Sequence, residues 1–251
     1  MKAMILAAGL GTRLRPLTND RPKALVEVAG RTLLQIALNR LSAFGVREVI
    51  INIHHHADMI LECLRANDNF GMSIEVSREE TLLDTGGGLK RAAHFFLRDA
   101  ASGEQPFILH NVDVISLIDL GRMVRFHSEH GALATLAVQD RPTQRYLVFD
   151  HQGGLRGRST GPTAEAEAGN ERNVPTAAPL LSLAFSGIHV ISPRLFSKME
   201  EEGAFSIIEM YLRLVAQGEK ILAFRADGSY WRDLGRPADI AQAAQDLSQS
   251  S

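Results

Sequence analysis

What the chain lacks narrows its roles before anything it contains. Among 251 residues there is one cysteine, Cys63, so no intramolecular disulfide can form and no cysteine cage can hold zinc or an iron–sulfur cluster. No apolar run approaches the length that spans a bilayer, and no membrane partner is expected. Neither sign of charge dominates: 27 Lys and Arg stand against 29 Asp and Glu, a net charge of -2. Without a basic field a nucleic-acid partner has no electrostatic footprint, and none is expected. The first apolar stretch, Met4 to Ala8, is too short for a signal peptide, so a cytoplasmic protein is expected. No repeat of fixed period is present. What remains is ordinary for a globular protein with a sizeable core: 45% hydrophobic and 22% charged residues.

Strand and helix patterns alternate from the start. Ala3 to Ala8 is a short apolar run closed by Gly9, the pattern of a strand buried on both faces. Gly9 to Lys23 reads as a loop. Helical spacing predicts helices over 33–44, 57–64, 89–97 (opened by Gly86-Gly87-Gly88) and 117–129. Strands are expected over 46–53, 73–77, 107–109 and 132–138. This order implies a mostly parallel sheet with helices on both faces, which binds ligands outside the carboxyl ends of its strands. Gly9, His54 and Asp113 fall at such ends. Further on, a hairpin is expected around Gly153-Gly154, a long loop over 158–179, a strand over 183–191, then a helix over 207–216, a strand over 221–224 and a terminal helix over 238–247.

The loop after the first strand carries the chemistry. It reads Gly9-Leu10-Gly11-Thr12-Arg13-Leu14-Arg15, then Arg21-Pro22-Lys23. Two glycines let backbone approach a ligand, successive amides can face phosphate oxygens, and Arg13, Arg15 and Lys23 add positive charge. That combination suits a triphosphate. A Walker A loop would end in Gly-Lys-Ser/Thr, which is missing, and Leu14 stands where a dinucleotide-binding loop needs its third glycine. The plain alternative is a strand-to-helix turn with solvated arginines.

Ala7-Ala8-Gly9-Leu10-Gly11-Thr12-Arg13-Leu14 with Pro22-Lys23 resembles the signature of the sugar-1-phosphate nucleotidyltransferases, the nucleotide-sugar pyrophosphorylases. The likeness extends through Asp113 and Phe185-Ser186-Gly187-Ile188 to Trp231-Arg232-Asp233-Leu234-Gly235. In its short form the chain resembles the N-acetylmuramate-1-phosphate uridylyltransferases and small mannose-1-phosphate guanylyltransferases. The resemblance implies a three-layer α/β/α Rossmann-like nucleotidyltransferase fold with a mixed, mostly parallel central sheet. It implies one domain over 1–240, with the end of a helix and a polar tail over 241–251. It also implies transfer of a nucleoside monophosphate from a nucleoside triphosphate to a sugar-1-phosphate, with UTP the first expectation and GTP the second. A catalytically silent nucleotide-sugar-binding regulator is the alternative. It would be free to lose Arg13, Lys23, Asp113 and Asp233, and all four are present.

By resemblance, Arg13 and Lys23 are the catalytic cations. Ala7, Ala8, Gly9, Gly11 and Thr12 join them around the phosphates. Glu79, Thr85 and Gly86 fall in the base-side segment, Glu79 as either a ligand contact or an exposed acid. Asn111 and Gly187 fall on the sugar side, where Gly187 could equally mark a strand bulge. Asp113 and Asp233 match the ligands of Mg²⁺, which takes few protein carboxylates and completes its shell with phosphate and water. Their plain alternatives are a helix N-cap for Asp113 and a surface-turn carboxylate for Asp233. Relatives carry a Glu-Lys-Pro element after the central hairpin; here Gly157-Arg158-Ser159 follows it, with Arg156 or Arg158 the available cations.

Four features are given no such role. Consecutive residues His54-His55-His56 point in different directions and do not share one ion. Cys63 is expected to be buried and inert, Glu200-Glu201-Glu202 to be a solvated acidic turn, and Trp231 to be a packing anchor.

Overall fold

The structure, a computed structural model, describes residues 1–98, 105–162 and 179–249. Most of the long segment expected over 158–179, namely 163–178, and the tail residues 250–251 lie outside the described residues.

The chain runs β1 (Lys2–Leu6), a hairpin of β2 (Glu27–Val28) and β3 (Arg31–Thr32), α1 (Leu33–Ala43), β4 (Glu48–Ile53), α2 (Ala57–Ala66), β5 (Ser73–Arg78), α3 (Asp84–Arg91) and α4 (Ala93–Leu97). It continues through β6 (Phe107–Asn111), β7 (Val114–Ser116), α5 (Leu120–Glu129), β8 (Ala134–Gln139), β9 (Tyr146–Phe149) and β10 (Leu155–Ser159). It ends with β11 (Leu181–Ile191), α6 (Ile207–Ala216), β12 (Ile221–Arg225), β13 (Trp231–Asp233) and α7 (Pro237–Gln249).

The main sheet has the order β10-β9-β11-β6-β1-β4-β5, with β8 alongside β11 and β12 alongside β8. β6, β1, β4 and β5 are mutually parallel, as are β8 and β12. β11 runs antiparallel to β6, β8 and β9. The sheet is therefore parallel on its β5 side, as the sequence order implies, and mixed overall, as the resemblance implies.

Alternation along the strands builds two cores. In β1, Ala3 and Ile5 face one side and Met4 the other; in β4, Val49, Ile51 and Ile53 oppose Ile50. The first side is covered by α1, α2 and α5 through Leu34, Leu38, Leu41, Ile60 and Met123. The second is covered by α3, α4 and α6 through Leu89, Phe95, Phe96, Met210 and Tyr211. Each fully buried Leu, Ile or Phe contributes roughly 1.5–3 kcal/mol. β1 therefore sits on a rigid base, and the loop that leaves its carboxyl end is held in place.

Two expected boundaries need correction. The helix expected from Leu117 begins at Leu120, because the Asp119 side chain accepts a hydrogen bond from the Arg122 amide at 2.9 Å and caps it there. Ahead of that expected helix, Val114 to Ser116 form β7 and pair with β13. The three glycines expected to precede a helix lie inside α3. Their missing side chains matter more than their poor helix propensity. A Cβ on Gly86 would overlap the Phe205 ring, one on Gly87 the Gly203 carbonyl, and one on Gly88 would meet Asn52 and Glu79 at 2.8 and 2.9 Å.

Candidate active site

The site lies at the carboxyl ends of β1, β4 and β6, where Gly9, His54 and Asp113 are expected. A cavity of about 370 Å³ opens there. Of the sequence-derived residues, Ala7, Ala8, Gly9, Lys23, Glu79, Thr85, Asn111 and Asp113 line it; Gly11, Thr12, Arg13, Gly86, Gly187 and Asp233 do not.

The loop after β1 is shaped by Gly11. Its φ of +64° is left-handed, and a Cβ there would press on Lys23 and Thr18 at 3.0 and 3.1 Å. The buried Thr18 hydroxyl donates to the Gly11 carbonyl at 2.9 Å and locks the turn. A short 3₁₀ turn over Thr12–Leu14 follows, in which Thr12 and Arg13 are exposed and Leu14 is buried. Among the described residues, nothing accepts from the five successive amides of Gly9 to Arg13. A run of free amides beside cations is an anion cradle.

The two carboxylates, far apart in sequence, are joined by a ladder. β13 pairs antiparallel with β7, setting Asp233 against Val114, and the Leu234 amide donates to the Asp113 carbonyl at 2.8 Å. Asp113 is not a helix cap; Asp119 has that task. The Lys23 ammonium contacts the Asp113 carboxylate, and both side chains are mostly buried, 11% and 17% exposed. Arg13 comes in from the other side. A Cβ on Gly235 would meet the Asp233 Oδ1 at 2.7 Å and the Arg13 Nη2 at 3.2 Å, so Gly235 makes room for both. Burial raises the Asp233 carboxyl above its usual pKa, and the Asp113 charge raises it further; Lys23, the Gly235 amide and Arg13 oppose them. Arg13, Lys23, Asp113 and Asp233 thus form one cluster.

The cavity floor is a relay that sequence reading missed. Asn52, in the apolar strand β4, accepts from the Ala7 amide at 2.8 Å and donates to the Glu79 Oε1 at 2.8 Å. The other Glu79 oxygen accepts from the Leu83 amide at 3.0 Å. Glu79 is 3% exposed, so it is not an exposed acid; it ties β4, β5 and the start of α3 together. Its legible signal is a lone amide inside the run Val49 to Ile53. Leu82 and Asp84 also line the cavity and went unremarked. Thr85 lines it while its hydroxyl accepts from the Ile207 amide at 3.0 Å. Gly86 faces Phe205 and gives its amide to the Phe205 carbonyl at 2.9 Å, so close packing is one reason a glycine stands here. Gly187 has a φ of +73° within a break in register of β11, and Val114 and Asn111 occupy the space of its absent side chain. The register break is a strand bulge.

Other expectations resolve locally. His54 bonds the Glu79 carbonyl through Nδ1, and the His55 and His56 rings lie 3.9 Å apart. Cys63 is half-buried, not buried, and its thiol pKa is pushed up by desolvation. The acidic run is not simply solvated: Glu201 takes a two-pronged contact from Arg213 at 2.6 and 2.9 Å, and Glu202 pairs with Lys90 at 2.7 Å. Trp231 is anchored by its indole N–H to the Ser186 carbonyl at 2.7 Å. Arg156 pairs with Asp150, and Arg158 with Glu209.

Unpaired backbone amides, two cations and two carboxylates thus meet at the carboxyl edge of a mixed sheet, the edge at which such sheets bind ligands. The comparisons with known proteins supply the class. The chain belongs to the nucleotidyl transferase family, whose model matches residues 2–250. It is 35% identical over 247 residues to the N-acetylmuramate alpha-1-phosphate uridylyltransferase of Caulobacter vibrioides, covering 97% of this chain and 96% of that one. It is 31% identical over 245 residues to a probable mannose-1-phosphate guanylyltransferase of Arabidopsis thaliana, covering 95% of this chain but 63% of that longer protein. Among solved structures, a putative glucose-1-phosphate thymidylyltransferase from Bacillus anthracis matches with a TM-score of 0.79 at 18% identity, over 100% of this chain and 96% of that one. HddC from Yersinia pseudotuberculosis, in complex with GMP-PN, matches with a TM-score of 0.74 at 22% identity, over 98% and 99%. These two likenesses concern the fold. Among the described residues no helix is long and apolar enough to cross a membrane.

Proposed function

We propose that the chain transfers a nucleoside monophosphate from a nucleoside triphosphate to a sugar-1-phosphate, with UTP as the donor before GTP. The observation that carries this reading is the β7–β13 ladder, which brings Asp113 and Asp233 to the Arg13 and Lys23 loop. The order of donors rests on the likeness, over nearly the full length of both chains, to a relative named as a uridylyltransferase.

In the proposed reaction an oxygen of the sugar phosphate bonds to the α-phosphorus of the triphosphate. The bond from that phosphorus to the bridging oxygen of the β-phosphate breaks, and pyrophosphate leaves with the electron pair. No residue need form a covalent intermediate. The chain binds two anions, aligns them and offsets the charge that builds up between them. The amides of Gly9 to Arg13 cradle the triphosphate, Arg13 draws charge toward the leaving pyrophosphate, and Lys23 stands beside the reacting phosphorus. The Asn52–Glu79 relay holds the Ala7 backbone, and hence the loop, at a fixed height above the sheet.

The residues present fit a Mg²⁺ ion. Asp113 and Asp233 offer hard oxygen donors; burial first, and the Asp113 charge second, raise the Asp233 carboxyl, and a divalent cation between them would offset both. When bound, such an ion supplies charge neutralisation at the phosphates. Among the described residues no larger set of His, Cys, Asp or Glu is grouped to hold a metal ion, so phosphate and water would complete the shell.

The test is pyrophosphate release in the presence of Mg²⁺, with UTP, GTP, ATP, CTP and dTTP each paired with glucose-, mannose-, N-acetylglucosamine- and N-acetylmuramate-1-phosphate. Release with a UTP pair is expected. Tight nucleotide binding without release from any pair would favour a silent nucleotide-sugar binder.

A further inference from the structure

Arg141, just past the end of β8, plays no part in the site described so far. Its guanidinium carbon lies 3.5 Å from the centre of the Trp231 ring, and its Nη2 donates to the Phe185 carbonyl at 2.7 Å. Trp231 is itself clipped to the neighbouring Ser186 carbonyl. Ring and guanidinium are therefore fixed as a unit against the bulge of β11. The strand end beneath is also fixed: Gln139 donates to the Ala226 and Ser229 carbonyls at 2.9 Å each, and the Asp140 amide donates to Asp227.

Trp231 and Asp233 are two residues apart on β13, so their side chains share one face, roughly 7 Å apart. The guanidinium stacked on Trp231 accordingly lies on the Asp233 side of the strand; burial lowers its pKa, and the Asp233 carboxylate acts against that fall. Of its five N–H donors, one is matched by Phe185, and Nε is buried with no partner among the described residues. The arginines of the nearby hairpin are committed elsewhere, Arg156 to Asp150 and Arg158 to Glu209. A planar cation held rigid by a ring, half-buried, with donors to spare and beside a carboxylate of the reaction centre, is a preset receptor for a second anion.

We propose that Arg141, held on Trp231, receives the phosphate of the sugar-1-phosphate and positions it on the Asp233 side of the α-phosphorus. This rests on the transferase reading above. A purely structural arginine would cap the Trp231 ring and nothing more.

Trp231 is the only tryptophan, so intrinsic fluorescence reports on the stack directly. The wild-type protein and Arg141→Met, which keeps an unbranched stem without the charge, are titrated with each sugar-1-phosphate, the matching free sugars and inorganic phosphate. The expected result is a saturable change in Trp231 emission with a sugar-1-phosphate but not the free sugar, weakened at least tenfold in Arg141→Met. In turnover, KM for the sugar phosphate should rise at least tenfold in Arg141→Met while KM for the nucleotide moves less than twofold. Arg141→Lys, which keeps charge but loses the planar fork, should fall between the two; it also serves if the Met variant folds poorly. A sugar-phosphate KM within twofold of wild type in a folded variant overturns the proposal. Failure of the transferase reading shows separately, as a wild type that releases no pyrophosphate from any pair. The titration still decides in that case: Arg141-dependent binding of the phosphate-bearing ligands supports an anion receptor, and identical binding in wild type and variants overturns it.

Discussion

Replacing Lys23 by Met tests whether the site is held together by charge. Methionine keeps an unbranched stem of similar length and the Cβ that packs under Gly11, but it removes the ammonium from Asp113. Both partners are mostly buried, so Asp113 is left largely desolvated beside Asp233. Removing one member of a buried pair costs about 3–5 kcal/mol. The lower figure applies here, because Asp233 can take up a proton and so ease the repulsion. For a chain of this size about 3 kcal/mol corresponds to a fall in Tm of roughly 6–12 °C, expected at pH 8. The sign with pH follows from Asp233. Burial and the Asp113 charge hold its folded pKa above the ordinary carboxyl value of 3.8, so this carboxyl makes stability fall as pH rises from that value through the folded one. Lys23 opposes that rise, and without it the folded pKa climbs further. The deficit of Lys23→Met relative to wild type should therefore shrink when both are melted at pH 5. Paired melts followed by circular dichroism at the two pH values give the answer. An equal deficit at both would show that Lys23 acts through packing, and would refute the charge argument.

Asn52→Ala leaves the Ala7 amide and a Glu79 oxygen without their partner; each buried orphan costs about 1–3 kcal/mol, so urea unfolding should show a loss of at least 2 kcal/mol. Gly86→Ala forces a methyl into the Phe205 ring, at about 1–3 kcal/mol; melts should show the loss, while the ranking of nucleotides in the pyrophosphate assay stays as in wild type. A changed ranking would place Gly86 in the base site. His110 and His189 are fully buried, and desolvation lowers their pKa values to about 4 and about 3. The unfolded chain binds those protons near 6.5, so stability should fall as pH drops from about 6.5 toward 4, and His189→Phe should flatten that slope in urea titrations. Arg13→Ala should lower kcat at least tenfold, about 1.4 kcal/mol of barrier, with a smaller change in KM for the sugar phosphate.

The parts of this molecule that could be read from the sequence are those whose cause is local. The helix over Ile207–Ala216 has the bounds its spacing implies, and the hairpin of β9 and β10 turns at Gly153-Gly154. The loop at Gly9 and Gly11 is marked by residue types that have few other uses. What was not legible depends on distant partners. β7 and β13 are three residues each, too short for a period, and exist because they pair with one another. The glycines of α3 read as a helix start because the atoms that exclude a side chain, from Phe205, Gly203, Asn52 and Glu79, come from other segments. Glu79 could not be assigned without Asn52, and Arg141 acquires meaning only when Trp231 lies beneath it.

The most direct test of the central claim, that Asp113 and Asp233 meet the Arg13–Lys23 loop to transfer a nucleotidyl group, follows phosphorus by NMR. Wild type and Asp233→Asn are mixed with UTP, a sugar-1-phosphate and Mg²⁺. The account expects wild type to convert them into equal amounts of a sugar diphosphate nucleoside and pyrophosphate. It expects Asp233→Asn to retain its fold with turnover reduced at least a hundredfold, about 2.7 kcal/mol. Orthophosphate as the product, or an Asp233→Asn variant as fast as wild type, would contradict it.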